Sequence, residues 1–403
     1  AMGYQIVFDS DKTDAEIVVI NTCGFIGDAK QESIDMIFDA VNAKNEGLIE
    51  RLFVIGCLSE RYADYLREEI PEVDAYFGAR DLSGVVEALG GKFDSGSTAR
   101  ELSTPKHYAY LKIAEGCNRY CSYCAIPLIT GKFTSRPQEE IVDEVRWLVS
   151  QGVKEFNVIA QDLSSYGLDL YGEHRLAQLV DEIAQVKGVE WIRLHYTYPT
   201  DFPYDLLPVM AKHPNVCKYM DIALQHCSDN MLKKMHRHIT REEQDAVIAR
   251  IRREVPGICI RTTLLVGHPG ETEQDFEELC EWVKTMRFDR MGAFAYSEEE
   301  GTFAAKHYTD DIPHEEKERR VETIMAIQQG ISADILSQMV GTQQRVVIDR
   351  EEQAYYIGRT QYDSPEVDCE VLIAKENNRH LTIGEYYTVT IIKSEDFDLY
   401  ASL

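Results

Sequence analysis

The sequence predicts an α/β protein in three parts. These are an N-terminal α/β domain with a parallel sheet over residues 1–95, a central partial (β/α)6 TIM-like barrel over 107–340, and a small C-terminal β-barrel over 341–403. Three observations carry this prediction. Strand and helix patterns alternate before residue 95 and again six times from Tyr108, as parallel strands joined by helices do. Residues 91–106 (GKFDSGSTARELSTPK) are rich in Gly, Ser and Thr and read as a linker. From Gly341 the pattern becomes short β runs broken by turn residues.

In chain order, Glu16–Asn21 (EIVVIN) is a buried-strand run with Cys23 past its carboxyl end, and Asp28 opens a helix towards Ala43. Arg51–Gly56 (RLFVIG) repeats the theme, with Cys57 past the strand and a helix from Ser59. Ligands of parallel sheets sit at the carboxyl ends of strands, so Cys23 and Cys57 are expected to face one crevice. Barrel strands are expected at Tyr110–Ala114, Phe156–Gln161, Trp191–Tyr196, Tyr219–Gln225, Cys259–Val266 and Arg290–Tyr296. Amphipathic helices separate them at Glu139–Ser150, Leu176–Val186, Arg241–Val255 and Thr272–Met286. Six such units are too few for a closed eightfold barrel. Helical residues Pro313–Val340 lead to tail strands at Gln344–Asp349, Ala354–Arg359, Glu370–Ala374 and Tyr386–Lys393, with turns at Asp363-Ser364-Pro365 and Asn377-Asn378.

The 403 residues carry a net charge of −27. Residues 1–100 hold 9 basic and 19 acidic side chains, and 341–403 hold 6 and 12. No segment has the basic stripe of a DNA-binding protein, whereas an acidic surface steers a basic protein partner. There is no apolar run of membrane-spanning length and no signal peptide. The ten cysteines are not spaced as a disulfide framework, which places the chain in a reducing compartment, the cytoplasm.

Cys117, Cys121 and Cys124 form a C-x3-C-x2-C triplet directly after the first barrel strand. Three thiolates this close hold three irons of one cubane cluster and leave the fourth iron open, whereas electron-transfer clusters use four cysteines. Structural zinc wants a fourth ligand at short spacing, and none is there. The second signal is Gly267-His268-Pro269-Gly270-Glu271 at the end of a predicted strand, where glycines let backbone approach a ligand. Gln161, Arg193, His195, Gln225 and His226 fall near predicted strand ends and read either as pocket-lining or as structural hydrogen-bonders. Arg136 reads as a carboxylate contact or a solvated arginine, and His268 as a cofactor contact or an exposed turn residue. Cys217, Cys227, Cys259, Cys280 and Cys369 read as small buried hydrophobes. Glu298-Glu299-Glu300 and Glu315-Glu316 read as solvated faces, and Arg319-Arg320 is too short for a nucleic-acid patch.

Together the triplet and the glycine turn resemble the radical S-adenosylmethionine superfamily. More closely, Asn21-Thr22-Cys23-Gly24-Phe25-Ile26, Gly56-Cys57-Leu58, Thr134-Ser135-Arg136-Pro137, Leu224-Gln225-His226-Cys227-Ser228-Asp229 and Met235-His236-Arg237 are similar to motifs of its methylthiotransferase family. The tail resembles a TRAM domain. Gly358-Arg359-Thr360 with Asp363-Ser364-Pro365-Glu366-Val367-Asp368 is most like the branch called RimO. The resemblance implies a 4Fe-4S cluster on Cys117, Cys121 and Cys124 with S-adenosylmethionine on the open iron. Tyr123, Arg136, Gln161, Gln225, Gly267, Pro269 and Gly270 would border the cofactor.

It further implies a second 4Fe-4S cluster on three cysteines of the first domain, including Cys23 and Cys57. The family's earliest cysteine has no counterpart in this sequence, whose first is Cys23. The expectation is therefore an N-terminally truncated form with about one cluster per chain. The implied reaction is methylthiolation of an aspartate β-carbon in small-subunit ribosomal protein number twelve, alone or within its subunit, with an electron donor and a sulfur source as further partners. The rival substrate is isopentenylated adenosine in tRNA, and the rival of another class is a non-catalytic iron–sulfur carrier. A tRNA enzyme should offer Lys and Arg in its tail, whereas this tail is acidic.

Overall fold

The structure is a computed structural model that describes residues 4–8, 15–24, 26–93, 100–375 and 380–403. Phe25, the turn at Asn377-Asn378 and the middle of the linker lie outside the described residues, as does the Asp28 side chain. The chain forms two compact units. One comprises Ala1–Ser97, Gly116–Lys132 and Ser297–Tyr308, and the other Thr98–Glu115, Phe133–Tyr296 and Thr309–Leu403.

In the first unit, β1 (Ile17–Thr22), β2 (Arg51–Gly56) and β3 (Ala75–Gly78) form a parallel sheet in chain order. Helices α1 (Gly27–Asn45), α2 (Cys57–Glu69) and α3 (Leu82–Ala88) follow the successive strands. Ile20, Leu52, Val54, Ile37, Val41 and Leu66 make its core, so alternate residues of the apolar strands meet the inner faces of the helices. Cys57 is the first residue of α2, two positions earlier than the pattern predicts. Gly56 makes the abrupt strand-to-helix change possible: its φ is 114°, and an added Cβ would lie 2.7 Å from the Asn21 side-chain oxygen. The four-residue β3 was too short to read from its sequence.

In the second unit, six parallel strands lie in sequential order: Tyr108–Lys112, Glu155–Ile159, Trp191–Thr197, Val216–Ile222, Cys259–Val266 and Arg290–Ala295. The first and last do not pair, so this is an open partial barrel. Outward residues such as Leu111, Phe156, Val158, Leu194, Ile222 and Leu264 pack under the helices in one large core. The 24-residue helix His314–Ser337 leads to a closed five-stranded barrel, Gln343–Glu351, Tyr355–Thr360, Val371–Ala374, Tyr386–Ser394 and Leu399–Ser402. The last strand was not expected. It closes the barrel by pairing with both Val371–Ala374 and Tyr386–Ser394.

The tail is fastened to the amino-terminal ends of the barrel strands. Arg359 binds Glu155 at 2.8 Å, Arg193 donates to the Gln361 carbonyl at 2.7 Å, and Tyr219 donates to Asp368 at 2.8 Å. Arg290 pairs with Asp363, and Tyr108 donates to Glu366 at 2.8 Å. The segment that resembles the RimO branch is therefore the one that joins tail to barrel. This corrects the pocket-lining reading of Arg193, which is fully buried at the end of the strands opposite to the βα loops.

Candidate active site

Cys23 and Cys57 leave neighbouring strand ends, because Thr22 of β1 stands opposite Gly56 of β2. Gly24 approaches so closely that a Cβ there would lie 2.7 Å from the Cys57 carbonyl carbon. Ser33 of α1 ties the turn down: the Cys23 N–H donates to its hydroxyl at 3.0 Å, and the hydroxyl donates to the Cys23 carbonyl at 3.3 Å. Cys57 begins α2, where the positive end of the helix dipole favours a thiolate.

The triplet belongs to the same compact unit. Its loop closes where the Cys117 N–H donates to the Gly131 carbonyl at 3.3 Å, and it turns where the Cys124 N–H donates to the Cys121 carbonyl at 3.0 Å. The Arg119 N–H points at the Cys117 sulfur at 3.5 Å. Directly after Cys124, α4 (Ile126–Ile129) packs against α2, the helix that Cys57 opens. The Ala304 N–H holds the loop at the Ser122 carbonyl at 2.7 Å. Tyr123 is half-buried in this loop.

Glu299 braces the unit and corrects the reading of Glu298-Glu299-Glu300 as a solvated face. It is 3% exposed and binds Lys30 at 2.8 Å and Arg61 at 3.4 Å, while Arg61 also donates to the Gly24 carbonyl at 3.3 Å. A glutamate far away in sequence thus braces the Cys23 turn and its neighbours. No local pattern signals it.

The ten cysteines divide into two classes. Cys217, Cys227, Cys259, Cys280 and Cys369 are buried, as expected of small hydrophobes. Burial pushes the thiols of Cys217 and Cys280 up to about 11 and those of Cys227, Cys259 and Cys369 higher still, so all five stay protonated. Cys23, Cys57, Cys117, Cys121 and Cys124 are exposed or half-exposed and share the first unit. Among the described residues no group of three His, Cys, Asp or Glu side chains is gathered as a ready metal cage. The triplet fits a cluster through its chemistry: three accessible sulfur donors on one hydrogen-bonded loop, with a backbone N–H on one sulfur.

The other expected site residues lie in the second unit. Arg136 is half-buried, pairing with Glu144 at 2.7 Å and donating to the Lys112 carbonyl at 2.7 Å. Gln161 donates to Glu115 just past the second barrel strand. Gln225 has a left-handed φ of 71° and bridges to Leu264, its N–H donating to Thr263 at 3.0 Å. Such a conformation costs a non-glycine residue about 1 kcal/mol or more and persists only where surrounding structure enforces it. His195 is buried in mid-barrel between Asn157 and Asp221.

The glycine turn is built on Glu271, a buried member of the motif to which the sequence pattern assigns no role of its own. Its carboxylate accepts from the Gly267 N–H, meets His226 at 3.0 Å and binds Arg320 at 2.8 Å. Arg320 also binds Glu316, so neither Arg319-Arg320 nor Glu315-Glu316 is wholly a solvated surface. His268 is buried, not exposed, and burial pushes its imidazole down to about 4. Thr272 then starts the next helix with a capping box to Asp275, which a G-E-T-x-x-D pattern could have signalled.

The room beside Gly267, with φ 74°, is filled by the Lys317 side chain, 2.5 Å from an added Cβ, and Lys234 fills that beside Gly270. Gly267→Ala should therefore cost about 1–2 kcal/mol from the left-handed backbone alone, with more from displacing the buried Lys317. Thermal unfolding checks this; an unchanged melting temperature would refute it.

Three family patterns match the chain: Uncharacterized protein family UPF0004 over residues 1–78, the Radical SAM superfamily over 111–283 and the TRAM domain over 340–403. Curated relatives named ribosomal protein uS12 methylthiotransferase RimO match along its whole length. The protein from Phocaeicola vulgatus is 60% identical over 100% of this chain and 93% of its own. That from Parabacteroides distasonis is 58% identical over the same shares, and that from Cytophaga hutchinsonii 48% over 100% and 92%. Among solved structures, the radical S-adenosylmethionine methyltransferase TsrM from Kitasatospora setae, bound to cobalamin and a [4Fe-4S] cluster, superposes with a TM-score of 0.53 at 14% identity. It covers 82% of this chain and 69% of its own, a likeness of fold.

Proposed function

The chain belongs to the RimO family of ribosomal protein uS12 methylthiotransferases, radical S-adenosylmethionine transferases, and from that premise we propose that it methylthiolates the β-carbon of an aspartate in that ribosomal protein. The observation that carries the reading is the division of the cysteines: five accessible thiols share one compact unit, and five buried ones are held protonated elsewhere.

Cys117, Cys121 and Cys124 would hold a 4Fe-4S cluster as thiolates, and the Arg119 N–H would stabilise charge on the Cys117 sulfur. When bound, such a cluster supplies the electron that cleaves S-adenosylmethionine. Cys23 and Cys57 would be two of the three ligands of a second cluster, the one that would supply the sulfur. Their setting suits this, since one leaves a tight turn held by Ser33 and the other sits at a helix N-terminus. Tyr123, Arg136, Gln161, Gln225, Gly267, Pro269 and Gly270 are the residues that would border the cofactor when it is bound. Because the reaction replaces a C–H bond by a radical route, it calls for no general acid–base pair at the carbon. The acidic tail, with 6 basic and 12 acidic residues, favours a basic protein over tRNA. None of the described helices is long and apolar enough to cross a membrane.

The test is anaerobic reconstitution, then incubation with S-adenosylmethionine, reductant, sulfide and the ribosomal protein. Mass spectrometry should find a methylthio gain on one aspartate peptide, with 5′-deoxyadenosine formed in parallel. A gain on tRNA and none on the protein would overturn the substrate.

A further inference from the structure

Three consecutive βα loops at the carboxyl-terminal end of the barrel border an open cavity of about 700 Å3. Phe202 and Tyr204, from the loop after the third strand, and Ile239, from the loop after the fourth, supply apolar wall. Asp201 and Asp205 bring two exposed residues with carboxylates to it, and the exposed Glu243 adds a third that also accepts from Thr240 at 2.8 Å in the cap of its helix. His174, Thr200 and His238 complete the polar lining, and no lysine or arginine lines it.

Two neighbouring arginines have partners of their own. Arg250 stacks on Tyr204 at 3.7 Å and binds Glu254 at 2.7 Å, and Arg241 binds Glu278 at 2.6 Å. The loops are well anchored. Arg237 is buried, stacks on Tyr198 at 4.0 Å and donates to the Ala223 carbonyl; its own carbonyl accepts from Thr200 at 3.0 Å. Arg237 of the Met235-His236-Arg237 motif thus anchors Thr200 of the cavity wall.

We infer that this cavity docks a basic side chain, lysine or arginine, of the ribosomal-protein substrate. The inference rests on the function proposed above. An apolar wall suits the aliphatic stem of such a side chain, and the carboxylates suit its charged head. The carboxyl-terminal end of the strands is also where barrel enzymes do their chemistry, so docking here brings the substrate to the working face.

The experiment measures binding of the purified ribosomal protein to the reconstituted enzyme by calorimetry at two salt concentrations. The Asp201→Asn/Asp205→Asn double variant is compared with Glu277→Gln/Glu281→Gln, which removes equal charge from an exposed helix outside the cavity. Thermal unfolding checks that both variants fold. Expected is a Kd raised about tenfold, with a weaker salt dependence, for the cavity variant alone. Wild-type Kd in the cavity variant, or equal weakening in both, would overturn the inference while leaving the function standing. A wild type that neither binds nor modifies the ribosomal protein would overturn both.

Discussion

Cys121→Ala should abolish 5′-deoxyadenosine formation, by at least about a thousandfold, because the cluster proposed on this triplet is what would supply the electron. It should also lower the iron bound after reconstitution. Loss of one of three ligands leaves two sulfurs on a half-exposed loop, too few to hold a cubane against solvent. The control is Cys280→Ala, which should retain iron and activity because that thiol is buried and protonated. Iron and sulfide assays with product chromatography read both variants. Full iron content and activity in Cys121→Ala would refute the ligand assignment, as would equal losses in the two.

The second large effect is predicted far from the sulfur chemistry. Glu155 has no exposed surface and is held by Arg359 at 2.8 Å and Arg193 at 3.3 Å, and Arg359 also binds Asp349 at 2.7 Å. Removing one partner from such a buried network strands the other charge, at a cost of about 3–5 kcal/mol. Glu155→Ala should therefore lower the unfolding free energy by about that much, as denaturant titration would show; a loss below about 1 kcal/mol would refute the account.

The network also gives stability a pH dependence. Burial raises the Glu155 carboxyl, but the Arg359 and Arg193 guanidiniums outweigh it and hold the group below its ordinary value. A depressed folded-state pKa means the stabilisation is complete above the ordinary carboxylate range. It is lost as the pH falls below that range and through the folded value. Wild type should thus lose stability in acid over an interval where Glu155→Ala loses less.

Local pattern carried much of the architecture. Three barrel strands begin at the residues the pattern indicates, Trp191, Cys259 and Arg290, because an apolar run bounded by polar and turn residues is a property of contiguous sequence. The fourth was set three residues late, since Val216-Cys217-Lys218 lacks a clear alternation and is fixed by pairing with Ile192 and its neighbours. The closing tail strand Leu399–Ser402 is only four residues long and exists because two other strands flank it. Arg193 was ambiguous for a related reason. Pattern shows that a polar residue points into the barrel, but which end of the barrel is closed depends on where the tail docks.

By itself, then, the sequence determined the class of fold, the triplet and its spacing, and the family, because each depends on residues close together along the chain. Tertiary structure decided which cysteines remain accessible, that Glu299 braces the Cys23 turn, that Glu271 organises the glycine turn, and that the Arg359–Asp368 segment closes the barrel's amino-terminal end. Those outcomes depend on burial and on charge pairs separated by tens to hundreds of residues, and local alternation contains neither.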